Sequence, residues 1–255
     1  MKTRLLLQKL AKKFPKRYAK MYHDHVGLMT GKLPEEVHTI ALCLDFDEEV
    51  FPLVEENVPD LIITHHPFIY GTKAKVFKWD KRKEELCKKI DELGVPVYSF
   101  HTNFDAGIDG MNDALSAALC LHNVYTPEGE ACMRIGELEQ EMPVEEFAKY
   151  AKEKLNVHYG LLIDEGKPFV KKVGIIGGGG SRDYPVARDE GCDIYISGDA
   201  PHHVRRSIVT EKFNYLDLPH EIEKIFVPQM KTILLGIDPT LKIIMIDHEE
   251  EPLVV

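Results

Sequence analysis

Cysteine pairing is missing from this chain in every form that would organise a fold. Its five cysteines, Cys43, Cys87, Cys120, Cys132 and Cys192, are odd in number and form no C-x-x-C pair. Neither a disulfide framework nor a cysteine zinc site is indicated, and a reducing, cytoplasmic compartment is expected. Long apolar runs are missing too, so no segment is expected to span a bilayer. Positive charge is in deficit: the formal net charge of −10 works against non-specific binding to nucleic acid or to an anionic membrane. What is present suffices for an ordinary fold, because 255 residues at 44% hydrophobic composition can bury a substantial core in one large domain or two smaller ones.

One basic block stands at the start of the chain. Residues 1–20 carry Lys2, Arg4, Lys9, Lys12, Lys13, Lys16, Arg17 and Lys20 with no acid between them. The apolar Leu5-Leu6-Leu7 is too short for a secretory signal, and Leu6, Leu10 and Tyr18 recur at helical spacing. A surface helix stopped at Pro15 is therefore preferred to a transit peptide.

From Val37 to Pro67 an apolar run (39–44), a polar break at Asp45, a helical stretch through Glu56 and a second apolar run (61–63) make a β-α-β unit. A helix over Lys81–Leu93, closed by Gly94, leads to a third strand over Val95–Ser99. The second half repeats this plan, with strands at 173–176, 193–197 and 213–216 and a helix near Val186–Glu190. His65-His66 is echoed by His202-His203, and His101 by His220. The pattern predicts an α/β chain built by a duplication of two similar lobes, residues 1–124 and 125–255, with the extreme C-terminus free to return to the first lobe. Sites in such units lie beyond the carboxyl ends of the strands.

The residues that can carry chemistry fall at those ends. His65 and His66 follow the second strand and precede Pro67, which prevents simple continuation of the ladder. His101-Thr102-Asn103-Phe104-Asp105 follows the third strand. There Asp105 is the best carboxylate ligand, and His101 is either a ligand or a partner that orients one. Asp109 and Asp113 are weaker candidates, since each also suits a turn or helix cap. In the second half His220 and Glu223, three apart, can share one helical face, with Glu221 pointing elsewhere. That H-x-x-E alone is as compatible with a plain helix surface. The glycines at 177–180 either cradle a phosphate or simply turn the chain, and no lysine follows them as a nucleotide-triphosphatase loop requires.

Taken together, I-I-T-H-H-P at 62–67, H-T-N-F-D at 101–105 and the H-x-x-E at 220–223 resemble the three metal-binding motifs of the Nif-three-like dinuclear metal-centre family, the GTP cyclohydrolase I type 2 homologues. Y-I-S-G-D at 195–199 and the glycine run resemble that family as well, and the similarity covers nearly the whole chain. The resemblance implies two intertwined α/β lobes with mixed sheets, a dinuclear metal site between them and a cytoplasmic homohexamer. It implies His65, His66, Asp105, His220 and Glu223 as ligands, Glu223 being the bridge. Two departures stand near the site: Pro219 replaces a usual glycine, and Tyr22–Leu28 alters the usual D-N-V-G-L segment.

Two ions sharing a carboxylate can acidify a water and clamp an oxyanion, so a metal-dependent hydrolase of a nucleotide or related small molecule is the first functional expectation, with His101 or His203 moving a proton. The alternative is a non-catalytic metal-binding, metal-delivery or regulatory interaction protein. The mixed nitrogen and oxygen donors suit zinc, iron, manganese or nickel, two divalent ions per chain.

Overall fold

Proline decides the shape of the basic amino-terminal block. Pro15 lacks an amide donor and cannot continue a helix, so α1 (Thr3–Lys13) ends before it and α2 (Lys16–Met21) starts after it. Leu6 and Leu10 of α1 are buried, as their spacing predicts. The computed structural model describes residues 1–255, which divide into two units: Met1–Gly110 with Phe226–Glu249, and Met111–Ile225 with Glu250–Val255.

In unit 1 the chain continues through β1 (Gly27–Thr30), β2 (Thr39–Cys43), α3 (Val50–Asn57) and β3 (Leu61–Thr64). β2 and β3 pair in parallel, Ile40 opposite Leu61 and Cys43 opposite Thr64, which completes the expected β-α-β unit. Next come α4 (Lys73–Trp79) and α5 (Lys81–Leu93), capped by the side chains of Thr72 and Asp80. Gly94, at φ 77°, takes the left-handed turn that closes α5. β4 (Val97–Ser99) then pairs in parallel with β3, and the short α6 (Thr102–Asp105) follows it.

Unit 2 runs through α7 (Met111–Ala118), β5 (His122–Tyr125), β6 (Arg134–Pro143), α8 (Val144–Lys154), β7 (Leu161–Ile163) and β8 (Phe169–Ile175). It continues with α9 (Tyr184–Asp189), β9 (Ile194–Ser197), α10 (His202–Thr210), β10 (Asn214–Asp217) and a 3-10 turn over His220–Ile225. The chain then returns to unit 1 as α11 (Phe226–Ile237) and β11 (Lys242–Met245), whose register with β2 sets Lys242 opposite Thr39.

The sheets have the orders β1-β4-β3-β2-β11 and β5-β6-β8-β9-β10-β7. Each contains three consecutive parallel strands, β2-β3-β4 or β8-β9-β10, and an antiparallel strand beside the third. That common plan is the mixed α/β architecture the repeated sequence pattern predicts. β3 and β9 are buried along their whole length, which is why their sequences read as apolar runs rather than alternating ones, and β10 is buried as well although Asn214 and Asp217 flank its apolar pair. In unit 1 Val50 and Val54 of α3 and Leu86, Cys87 and Ile90 of α5 form one cluster with Ile62 and Val97 of the sheet. Truncating a side chain such as Ile90 there costs about 3 kcal/mol.

The unit boundary differs from the sequence expectation at residue 124. That position falls inside β5, and the pairing of β5 with β6 holds it in unit 2 together with α7. The returning segment is 226–249, longer than an extreme C-terminus, and 250–255 belong to unit 2.

Candidate metal centre

Consecutive side chains on a strand point to opposite faces, so two adjacent histidines serve one centre only where the strand stops. β3 stops at Thr64. The amides of His65 and His66 both donate to the Leu44 carbonyl, at 3.1 and 3.0 Å, and Thr64 Oγ1 donates to the His66 carbonyl at 2.8 Å. This turn brings the two imidazoles to a centroid separation of 4.9 Å, and His101, beyond the end of β4, lies 5.1 Å from the His65 ring. Ring nitrogens of His65, His66 and His101 all fall within 4.8 Å of one another.

The far edge of each ring is fixed. His65 Nδ1 lies 2.9 Å from the Phe100 carbonyl oxygen, which can only accept, so the proton sits on Nδ1 and the lone pair on Nε2. His66 Nδ1 donates to Asp45 Oδ2 at 2.6 Å, and His101 Nδ1 donates to Asp24 Oδ2 at 2.8 Å. Burial would raise the Asp45 and Asp24 carboxyls. The hydrogen bonds from His66 to Asp45, and from His101 and Thr102 to Asp24, outweigh burial and hold both below the usual carboxylate range.

His65 is fully buried, and its Nε2 stands 3.5 Å from Asp105 Oδ1. A lone pair faces a carboxylate oxygen there, at a distance long for a hydrogen bond. Two ligand atoms held about 2.0–2.1 Å from one tetrahedral ion stand about 3.4 Å apart, so the spacing and the donor chemistry fit a divalent cation. Asp109 and Asp113 are drawn elsewhere, to ion pairs with Lys13 and Arg134.

In unit 2, β10 ends at Asp217, and Leu218-Pro219 leads into the 3-10 turn. Residues three apart eclipse in a 3-10 helix, which overlays His220 and Glu223 more closely than an α-helix does. His220 Nε2 lies 3.1 Å from Glu223 Oε2, and its Nδ1 donates to Asp199 Oδ2 at 2.6 Å. The glycine run forms the seat of Glu223. Gly178, at φ 62°, has its carbonyl held by Gly198 N and Ser197 Oγ at 2.7 and 3.0 Å. A Cβ there would stand 2.3 Å from Glu223 Oε1. Glycine is thus required twice, for the backbone conformation and for the carboxylate laid against it.

The expected residues are therefore distributed as His65, His66, His101 and Asp105 in unit 1 and His220 and Glu223 in unit 2. His203 is exposed on the first turn of α10 and joins none of these donor sets. Glu221 is half-buried rather than solvated. Sequence reasoning missed Asp24, Asp45 and Asp199 as orienting carboxylates. The signal was an acid just after an apolar strand, which Asp45 shares with Asp199.

The Duf34/NIF3 (NGG1p interacting factor 3) model matches residues 1–252. A Clostridium perfringens protein named GTP cyclohydrolase 1 type 2 homolog is 30% identical over 203 residues, 77% of each chain. A Lactococcus lactis protein of the same name is 28% identical over 238 residues, 90% of each. Among solved structures, the Bacillus cereus protein related to NIF3 superposes with a TM-score of 0.86 at 20% identity, covering 100% of this chain and 99% of that one. The family model spans nearly the whole length and the fold agrees throughout, so this chain belongs to the Duf34/NIF3 family.

Proposed function

We propose that this protein binds two divalent metal ions per chain, with His65, His66 and Asp105 of unit 1 and His220 and Glu223 of unit 2 as ligands and Glu223 as the shared carboxylate. One observation carries the reading: His65, His66, His101 and His220 each commit Nδ1 to a fixed carbonyl or carboxylate. This is the arrangement by which proteins orient metal-ligating imidazoles and raise their basicity. A buried imidazole needs such an acceptor in any case, and the added feature is that the freed His65 Nε2 faces Asp105 Oδ1 at 3.5 Å.

The activity proposed for the centre is hydrolysis of a nucleotide or related small molecule. Paired ions supply an acidified water and a clamp for the developing oxyanion. The chain's own residues fix the ligand tautomers, and the proton-transfer role is assigned to His101, a reading supported by its hydrogen bond to Asp24. The names of the relatives support this class of reaction. The second reading, a metal-binding protein acting as an interaction partner, is favoured by the family description as an interacting factor. Elemental analysis combined with a screen of nucleotides and phosphoesters decides between them. Two equivalents of metal with turnover are expected, whereas stoichiometric metal without turnover in any substrate class leaves the second reading. A homohexamer in the cytoplasm is proposed on the resemblance, and a light-scattering mass of a monomer would count against it.

A further inference from the structure

The segment that carries His220 also walls a cavity of about 290 Å³ within unit 2. Its polar wall is formed by Tyr159, Asp199, Arg205, Asp217 and Glu221, and Pro219 supplies an apolar face. His220 lines it together with Asp199, its Nδ1 partner, while Glu223 does not.

Its chemistry is lopsided. Three carboxylates face one guanidinium, and the guanidinium is already matched, because Arg205 Nη2 donates to Asp217 Oδ2 at 2.9 Å. Asp199 Oδ2 already accepts from His220 Nδ1 at 2.6 Å, and Glu221 has no cation opposite it in the wall. The Tyr159 phenol reports the same field: burial, and then the carboxylates of Glu221, Glu251, Asp217 and Asp199, push it up from its ordinary value. An anionic group entering here meets repulsion on most sides, whereas a cation or a cluster of N–H donors meets acceptors. The volume lies at the small end of ligand pockets, which begin at about 300 Å³, and holds a single ring. The Tyr159 ring and Pro219 offer flat surfaces for it.

We propose that this cavity is a binding site for a planar, cationic or N–H-rich head group, an amidinium or amino-substituted ring, carried by a small molecule. The acceptors are Asp199 and Glu221. Arg205 is a positioning residue that holds Asp217 in the wall. The site goes beyond the metal reading while sharing His220 and Asp199 with it, and ligand binding and metal content are read separately.

The test uses the full chain and benzamidine as the probe, followed by calorimetry or ligand-observed NMR. Saturable benzamidine binding is expected, and benzoate, of the same shape and opposite charge, should displace it at least about tenfold less effectively than benzamidine displaces itself. Glu221→Gln and Tyr159→Ala should each weaken benzamidine by about fivefold or more while leaving bound metal, read by elemental analysis, unchanged. Glu221→Gln keeps the test sound should Tyr159→Ala fail to fold. In His66→Ala protein benzamidine binding should persist, because no unit 1 residue lines the cavity. Equal displacement by benzoate, indifference to Glu221→Gln, or loss of binding in His66→Ala protein overturns the proposal.

Discussion

A histidine becomes a ligand through the nitrogen that its other neighbour leaves deprotonated, so orienting acceptors are as informative as the imidazoles. Asp45 is the clearest case, since it holds His66 yet its side chain is 46% exposed and carries little of the fold. Asp45→Asn should lower metal affinity by about 10- to 100-fold, the usual consequence of disturbing such a partner, with circular dichroism unchanged. His66→Ala should lower metal content outright. Full metal retention in both variants would remove His66 from the ligand set. The imidazoles were legible in the sequence because each follows an apolar strand. Their acceptors were less so, because Asp24 lies 77 residues from His101, and Asp199 lies 21 from His220. Only strand pairing brings such separations together, and no local pattern encodes it.

Elements rather than single residues set the ligand register after β10. The sequence suggested an α-helix there, and the observed 3-10 turn changes the reasoning about Glu221, which turns into the cavity wall instead of outward. Glu223→Gln should therefore lose metal and Glu221→Gln should not, an outcome read by elemental analysis of the two proteins side by side. The glycine loop makes a sharper element-scale prediction. Gly178→Ala and Gly191→Ala both place a Cβ at positive φ, 62° and 77°, a backbone strain of about 1 kcal/mol each, to which Gly178→Ala adds the displacement of Glu223. Nothing lies within 4 Å of a Cβ at Gly191, whereas Gly178 supports Glu223. Metal loss confined to Gly178→Ala is expected, and equal metal content in both variants would show that the loop is only a turn. The buried strands β2, β3 and β9 were legible because burial on both faces writes apolar runs. β5, β7 and β11 were not, since they are short and exposed or half-buried along most of their length. A return to the first lobe was expected only of the extreme C-terminus, and the extent of the 226–249 segment was hidden because only the register of β11 with β2 declares it.

At the scale of the whole molecule, bound metal and titration both act on stability. An ion that binds only the folded chain stabilises it by mass action, so a chelator should lower the melting temperature of wild-type protein and leave that of metal-depleted His66→Ala protein nearly unchanged. The pH dependence has a separate origin in Asp183, where burial and the nearby Glu130 raise the carboxyl from 3.8 to about 6, against the opposing charge of Arg182. The folded chain then holds a proton there that the unfolded chain releases above its ordinary value. Between about pH 4 and 6 stability falls as pH rises, and above that window the penalty is constant. Full linkage over two units would amount to about 3 kcal/mol, but a half-buried carboxyl is partly hydrated, and about 1 kcal/mol is the expected size. Asp183 makes no side-chain cap to α9, so Asp183→Asn sacrifices no helix contact. Urea unfolding should find the variant about 1 kcal/mol more stable than wild type at about pH 7.5 and indistinguishable from it at about pH 4. A gain of equal size at both values would trace to packing or to the unfolded chain, and a loss at neutral pH would mean that the charged carboxylate is favoured where it sits.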